Sequence, residues 1–280
     1  MSEQDRSLRT EAYAEPRCLL GDERFGSASA VIPVPQGRII EKLDEYLSRR
    51  DYESAEKHLL YWLEEAEQGR DARGKLLICN ELVGHYRKNG KREEAFRYAE
   101  AALDLVRELD YEGSVTGGTT RVNAATAYSA FGESEKALAL FEKAREDYTA
   151  DPRTDPELLG GLCNNMALAC KDLGRFEEAF KLYEQAMETM SRVPGSKPEQ
   201  AITCLNMADT VAQQEGTEAG AARIRALLDR ALELLRDEEA PRDGYYAFVC
   251  EKCAPGFADY GMTEEAAELQ RIAEEIYGRA

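Results

Sequence analysis

Three glycines set the frame of this chain. Gly90, Gly132 and Gly174 lie 42 residues apart, and each is followed five residues later by an alanine: Ala95, Ala137 and Ala179. Seven residues beyond those stand Ala102, Ala144 and Ala186. The segments read NGKREEAFRYAEAA, FGESEKALALFEKA and LGRFEEAFKLYEQA. Apolar residues recur within them at three- and four-residue spacing, which is the helical period. A self-similar period of this length marks stacked helical hairpins, because one hairpin cannot bury its apolar face alone. Glycine ends the first helix of each unit, where a left-handed residue costs least. Small residues sit where paired backbones cross, and Tyr86, Tyr128, Phe141 and Tyr183 plug the space between.

Further copies flank these three. RRDYESAEKHLLYW places Ala55 in the slot of Ala95, and YGMTEEAAELQRIA places Gly261, Ala266 and Ala273 in the same slots. A degenerate copy lies between, with about three or four extra residues in its turn, giving six helix pairs. The pattern predicts helices near 36–49/52–69, 72–89/92–110, 115–131/134–150, 156–173/176–192, 197–215/220–237 and 243–260/263–279. Pro152, Pro156, Pro194, Pro198 and Pro241 fall between pairs, where proline ends one helix or opens the next. Pro255-Gly256 falls inside the eleventh helix and predicts an irregular or kinked segment there.

The set small residue–Tyr–Gly–Ala–large–Ala, which in the fourth unit reads Ala167, Cys170, Gly174, Ala179, Tyr183 and Ala186, resembles the tetratricopeptide-repeat fingerprint. The common period of that family is 34 residues. The longer spacing here resembles the kinesin-light-chain class, of bacterial type, and residues 164–186 most of all. The resemblance covers residues 36–279. It implies an all-α, right-handed solenoid of about six tetratricopeptide hairpins over residues 36–280, preceded by an arm or tail over 1–35. In that arm 27–35, SASAVIPVP, is apolar and should be extended. Residues 30–35 are expected to dock, over the first pair or in a neighbour's groove, because the end of a solenoid lacks a cover.

Function follows from which face the first helices present. They line the concave side, where an extended peptide makes many contacts. Asn123 and Asn165 stand nine residues before their glycines. Asn206 takes the same place once one extra residue is allowed for, and Asn80 and Asn164 lie one residue earlier in their units. In proteins of this resemblance, asparagines at such slots point into the groove and clamp a peptide backbone. An amide donates and accepts, so it pairs with both N–H and C=O of a passing chain. Arg87, Lys88, Arg121 and Lys171 fall on or near the same helices and would form a locally positive patch. The reading is thus a protein-interaction module that holds an extended segment; the alternative is a self-assembling, homo-oligomeric repeat protein with no peptide ligand.

Other chemistry finds little support. The formal charge of −18, from 54 acidic and 36 basic residues, repels duplex nucleic acid and anionic membranes. There is no apolar run of about eighteen residues for a membrane span, and no signal-peptide core; a cytoplasmic location is expected. His58 and His85 fall in different units without a nucleophile. Cys250 and Cys253 form one CxxC with no second ligand pair, which reads as core packing rather than zinc or redox chemistry. No catalytic residue, metal site or cofactor is expected.

Overall fold

The computed structural model describes residues 31–278; the expectations for residues 1–30 lie outside them. The described residues form twelve helices and no strand. They are α1 (Gln36–Ser48), α2 (Tyr52–Gln68), α3 (Ala72–Lys88), α4 (Arg92–Glu108), α5 (Val115–Ala130) and α6 (Ser134–Ala150). Then follow α7 (Pro156–Asp172), α8 (Phe176–Met190), α9 (Lys197–Glu215), α10 (Ala221–Arg236), α11 (Gly244–Asp259) and α12 (Thr263–Tyr277). Every boundary falls within about two residues of the sequence reading.

Four of the six hairpins are built the same way. The turn residue is left-handed, with φ of +70° at Gly90, +82° at Gly132, +72° at Gly174 and +79° at Gly261. The next residue's N–H then reaches back to the first helix: Lys91 to Tyr86 O at 2.9 Å, Glu133 to Tyr128 O at 2.9 Å, Arg175 to Cys170 O at 2.8 Å. This bond satisfies a carbonyl that the helix end would leave open. Second helices after α2 lack a capping side chain, and α4, α8 and α12 carry acidic pairs in the first turn, such as Glu93–Glu94 and Glu177–Glu178, against the positive end of the helix dipole. Four of the six first helices are instead capped by side chains: Asp71, Ser114, Asp155 and Asp243 accept from N–H groups of α3, α5, α7 and α11.

The repeat alanines sit at the crossings. Ala55, Ala95, Ala137 and Ala179 have no exposed surface, and Tyr183 and Phe141 are buried between them. Gly118 lets α5 approach α6 so closely that a Cβ there would stand 2.5 Å from the Tyr148 ring.

Helix pairs stack into one array. The odd-numbered helices α3, α5, α7, α9 and α11 each pack on the next in that series, whereas even-numbered helices pack closely only on odd ones. The odd helices therefore form a continuous inner layer, with the even helices splayed outside it. Joined at the inner side and spread at the outer, the array is concave along its odd helices.

Two expectations need revision. α11 runs as a continuous helix through Pro255, so the segment expected to be irregular keeps helical backbone. The missing proline N–H costs one bond near the helix end. Burial of Val249, Cys250, Cys253, Ala254 and Phe257 holds the helix regardless, and Gly256 lets it close on Leu205. Of the apolar arm, residues 31–35 form neither helix nor strand and are pinned to the turn between α2 and α3. Ile32 N–H donates to Gly69 O at 2.9 Å, and Val34 N–H to the Asp71 carboxylate at 2.9 Å. Val34 is buried against Gly74, whereas Val31 and Ile32 stay exposed, so one side chain rather than three is covered.

Candidate functional site: the concave face

All five asparagines lie half-buried on inner helices: Asn80 on α3, Asn123 on α5, Asn164 and Asn165 on α7, Asn206 on α9. Four of them are joined in pairs across the stacked helices. Asn123 Nδ2 donates to Asn80 Oδ1 at 3.0 Å, and Asn206 Nδ2 to Asn164 Oδ1 at 3.1 Å. Asn80 in turn donates to Thr120 Oγ1 at 3.1 Å and to Leu76 O at 3.1 Å. The register is the same in both pairs: the asparagine nine before its glycine reaches the residue ten before the preceding one, with Asn206 shifted as the longer α9 requires.

Asn165 breaks the series. The residue that would accept from it, ten before Gly132, is Val122, whose side chain has no acceptor. Asn165 makes no side-chain hydrogen bond with the described residues. Its neighbours along the same face offer it none either. Gly161, one turn earlier on α7, is exposed, and a Cβ there would meet nothing within 4 Å; Leu168, half-buried and apolar, lies one turn later.

The basic candidates part ways. Lys88 is exposed at the end of α3. Arg87 is half-buried, burial lowers its pKa, and its Nε has no partner among the described residues. Lys171 Nζ lies 3.8 Å from Asp172 Oδ1. Arg121 does not join them. Its guanidinium is buried between α5 and α6, paired with Asp147, and bonded to Glu112 at 3.0 Å. Asp147 also accepts from Gly113 N–H at 2.8 Å, so Arg121 is part of the hairpin's interior.

Sequence reasoning missed a cleft of about 60 Å³ between α1 and α3, lined by Leu43, Leu47, Tyr52, Glu81, His85 and Lys88. α1 does not pack closely on α3 as the later inner helices pack on one another. Burial lowers the pKa of His85 and raises that of Glu81. A signal was present: Glu81 stands nine residues before Gly90, in the slot of Asn123 and Asn165.

The cysteines Cys79, Cys163, Cys170, Cys204, Cys250 and Cys253 are buried as free thiols, and burial raises the pKa of Cys253 to about 12. No group of His, Cys, Asp or Glu suited to a metal occurs among the described residues. No described helix is long and apolar enough to cross a membrane.

Fold and inner face define a helical-repeat solenoid. The tetratricopeptide-repeat family model matches residues 76–150 and 161–219. Together with the hairpin geometry, this places the chain in the tetratricopeptide-repeat family, whose fold generally mediates protein–protein interaction. No curated protein matches the sequence. Among solved structures, a putative kinesin light chain with nearly identical TPR-like repeats from Podosopora anserina is 18% identical. It covers 73% of this chain and 96% of its own, with a TM-score of 0.48. BtubC (BKLC) from P. vanneervenii is 18% identical over 88% of this chain and 92% of its own, with a TM-score of 0.49. A tetratricopeptide repeat protein from Parabacteroides merdae is 17% identical over 86% and 93%, with a TM-score of 0.34.

Proposed function

We propose that the chain is a non-catalytic, cytoplasmic scaffold whose concave face holds an extended segment of a partner polypeptide. The observation that carries this is Asn165. It is an amide on the inner layer, one turn from the open Gly161 and without an internal partner, whereas the flanking asparagines are tied to one another. Two fixed pairs and one open amide make a groove floor in which the paired rungs set the spacing of the inner helices. The open rung supplies a donor and an acceptor to a passing backbone. Lys88, Arg87 and Lys171 lie toward the C-terminal ends of α3 and α7 and favour acidic side chains or a terminal carboxylate on the partner.

Affinity capture from native lysate with the full chain tests this. A partner retained by wild type and by an outer-helix control, Lys143→Ala, is expected to be lost or weakened with Asn165→Ala. Equal recovery by all three would place the contact elsewhere.

A further inference from the structure

Five of the hairpins join their helices by a three-residue turn, and four of these hold glycine at the left-handed position: Gly90, Gly132, Gly174 and Gly261. The first hairpin breaks the rule. Its turn is Arg49-Arg50-Asp51, and Arg50 takes the left-handed conformation with φ of +56°. The turn is otherwise the same, with Asp51 N–H bonded to Tyr46 O at 2.9 Å. A side chain is disfavoured in that conformation, so an arginine there opposes the preference that the four glycine-bearing hairpin turns obey, as Arg70 and Asp110 do in the turns between hairpins.

The Arg50 side chain has a partner far along the chain. Its Nη2 lies 3.4 Å from Glu251 Oε1 on α11, 201 residues away. The other Glu251 oxygen accepts from the Tyr277 hydroxyl at the end of α12, at 3.4 Å. The array thus curls until the tip of its first hairpin meets its last. Every neighbouring pair of hairpins is joined by helix packing, but neither α1 nor α2 packs closely on α11 or α12. At this seam the contact is made by side chains, and Arg50 is 76% exposed.

We propose that Arg50 and Glu251 form a latch between the first and last hairpins, and that the array opens and closes at this seam. An exposed ion pair is weak and is screened by salt. A seam whose one ion pair among the described residues is of this kind exchanges between closed and open forms, and small changes in the pair shift the balance. Opening widens access to the concave face. That consequence rests on the groove reading given above; the opening itself does not.

Small-angle scattering of the full-length chain tests the latch without any ligand. Arg50→Glu and Glu251→Arg should each raise the radius of gyration at low salt, with helical circular dichroism unchanged. The charge-swapped double variant should return it to the wild-type value. Wild type itself should expand toward the single variants at about 1 M salt, where screening acts within about 3 Å. Arg50→Gly separates the latch from the turn: it should expand the particle while its melting midpoint holds or rises. Unchanged radii in the single variants would overturn the proposal, as would a double variant that stays expanded. So would an Arg50→Gly protein as compact as wild type.

Discussion

Asn123 donates its side-chain amide to the Asn80 carbonyl oxygen one helix pair away, at 3.0 Å. The same bond recurs between Asn206 and Asn164, and Val122 prevents it for Asn165. These asparagines therefore divide into structural rungs and a free one. Val122→Asn should supply the missing acceptor. It is expected to leave stability unchanged or raise it by about 0.5–1.5 kcal/mol, the net value of one hydrogen bond. Partner binding should weaken, because Asn165 turns inward. Denaturation midpoints and partner recovery, measured on the same variant, check both halves.

The adjacent glycines of α7 should respond in opposite directions to alanine. A Cβ at Gly160 would stand 2.4 Å from Met190 Sδ, while one at Gly161 meets nothing within 4 Å. Gly161→Ala should stabilise by about 0.5–1 kcal/mol through helix propensity alone. Gly160→Ala must displace a flexible methionine and should be neutral to mildly destabilising. Gly118→Ala, pressed on the Tyr148 ring, should cost about 1–3 kcal/mol. Urea titrations of the three variants rank them.

Asp147→Ala leaves the buried Arg121 guanidinium with only the exposed Glu112 carboxylate as partner, and should destabilise by up to about 3–5 kcal/mol. The double replacement Arg121→Met with Asp147→Leu should cost much less, because it removes the charge as well as its partner. A double-mutant cycle on thermal unfolding separates the two.

Stability should fall as pH drops below about 6.5, the ordinary value for a histidine. Burial holds the His85 pKa below that value, though the nearby Glu56 carboxylate opposes this. The unfolded chain then takes up a proton that the folded one resists, so His85 favours unfolding as pH falls from the unfolded value toward the lowered folded one. Above the unfolded value the effect vanishes. Comparing denaturation midpoints of wild type and His85→Gln from about pH 7.5 to about pH 5.5 should show a flatter profile for the variant.

Much of this architecture was legible in the residues. Gly90, Gly132 and Gly174 fix the turns, and the alanines five and twelve residues later fix the crossings. Both are local requirements of backbone geometry, which a sequence displays directly. Pro255 does not break α11: its penalty is local too, while the burial of Val249, Cys253 and Phe257 that holds the helix is tertiary. Arg121 looked like a groove cation because helical position alone does not distinguish a side chain on the inner face from one turned into its own hairpin. Asp147, 26 residues away, decides that. The pairing of Asn80 with Asn123 was hidden for the same reason: both were placed on one face, but whether they meet depends on the spacing of stacked helices. The seam at Arg50 and Glu251 joins residues 201 apart, which no local pattern displays.

The inner face as a polypeptide-binding groove is tested most directly by photo-crosslinking. A photoreactive residue at Gly161, open on the face that carries Asn165, should form adducts in cells. Mass spectrometry should map these onto one short continuous segment of a partner, and the adducts should disappear when Asn165→Ala is added. The same probe at Lys143, on outer helix α6, should give none of them. Adducts that form equally from Lys143, or that survive Asn165→Ala undiminished, would contradict a partner held along the concave face.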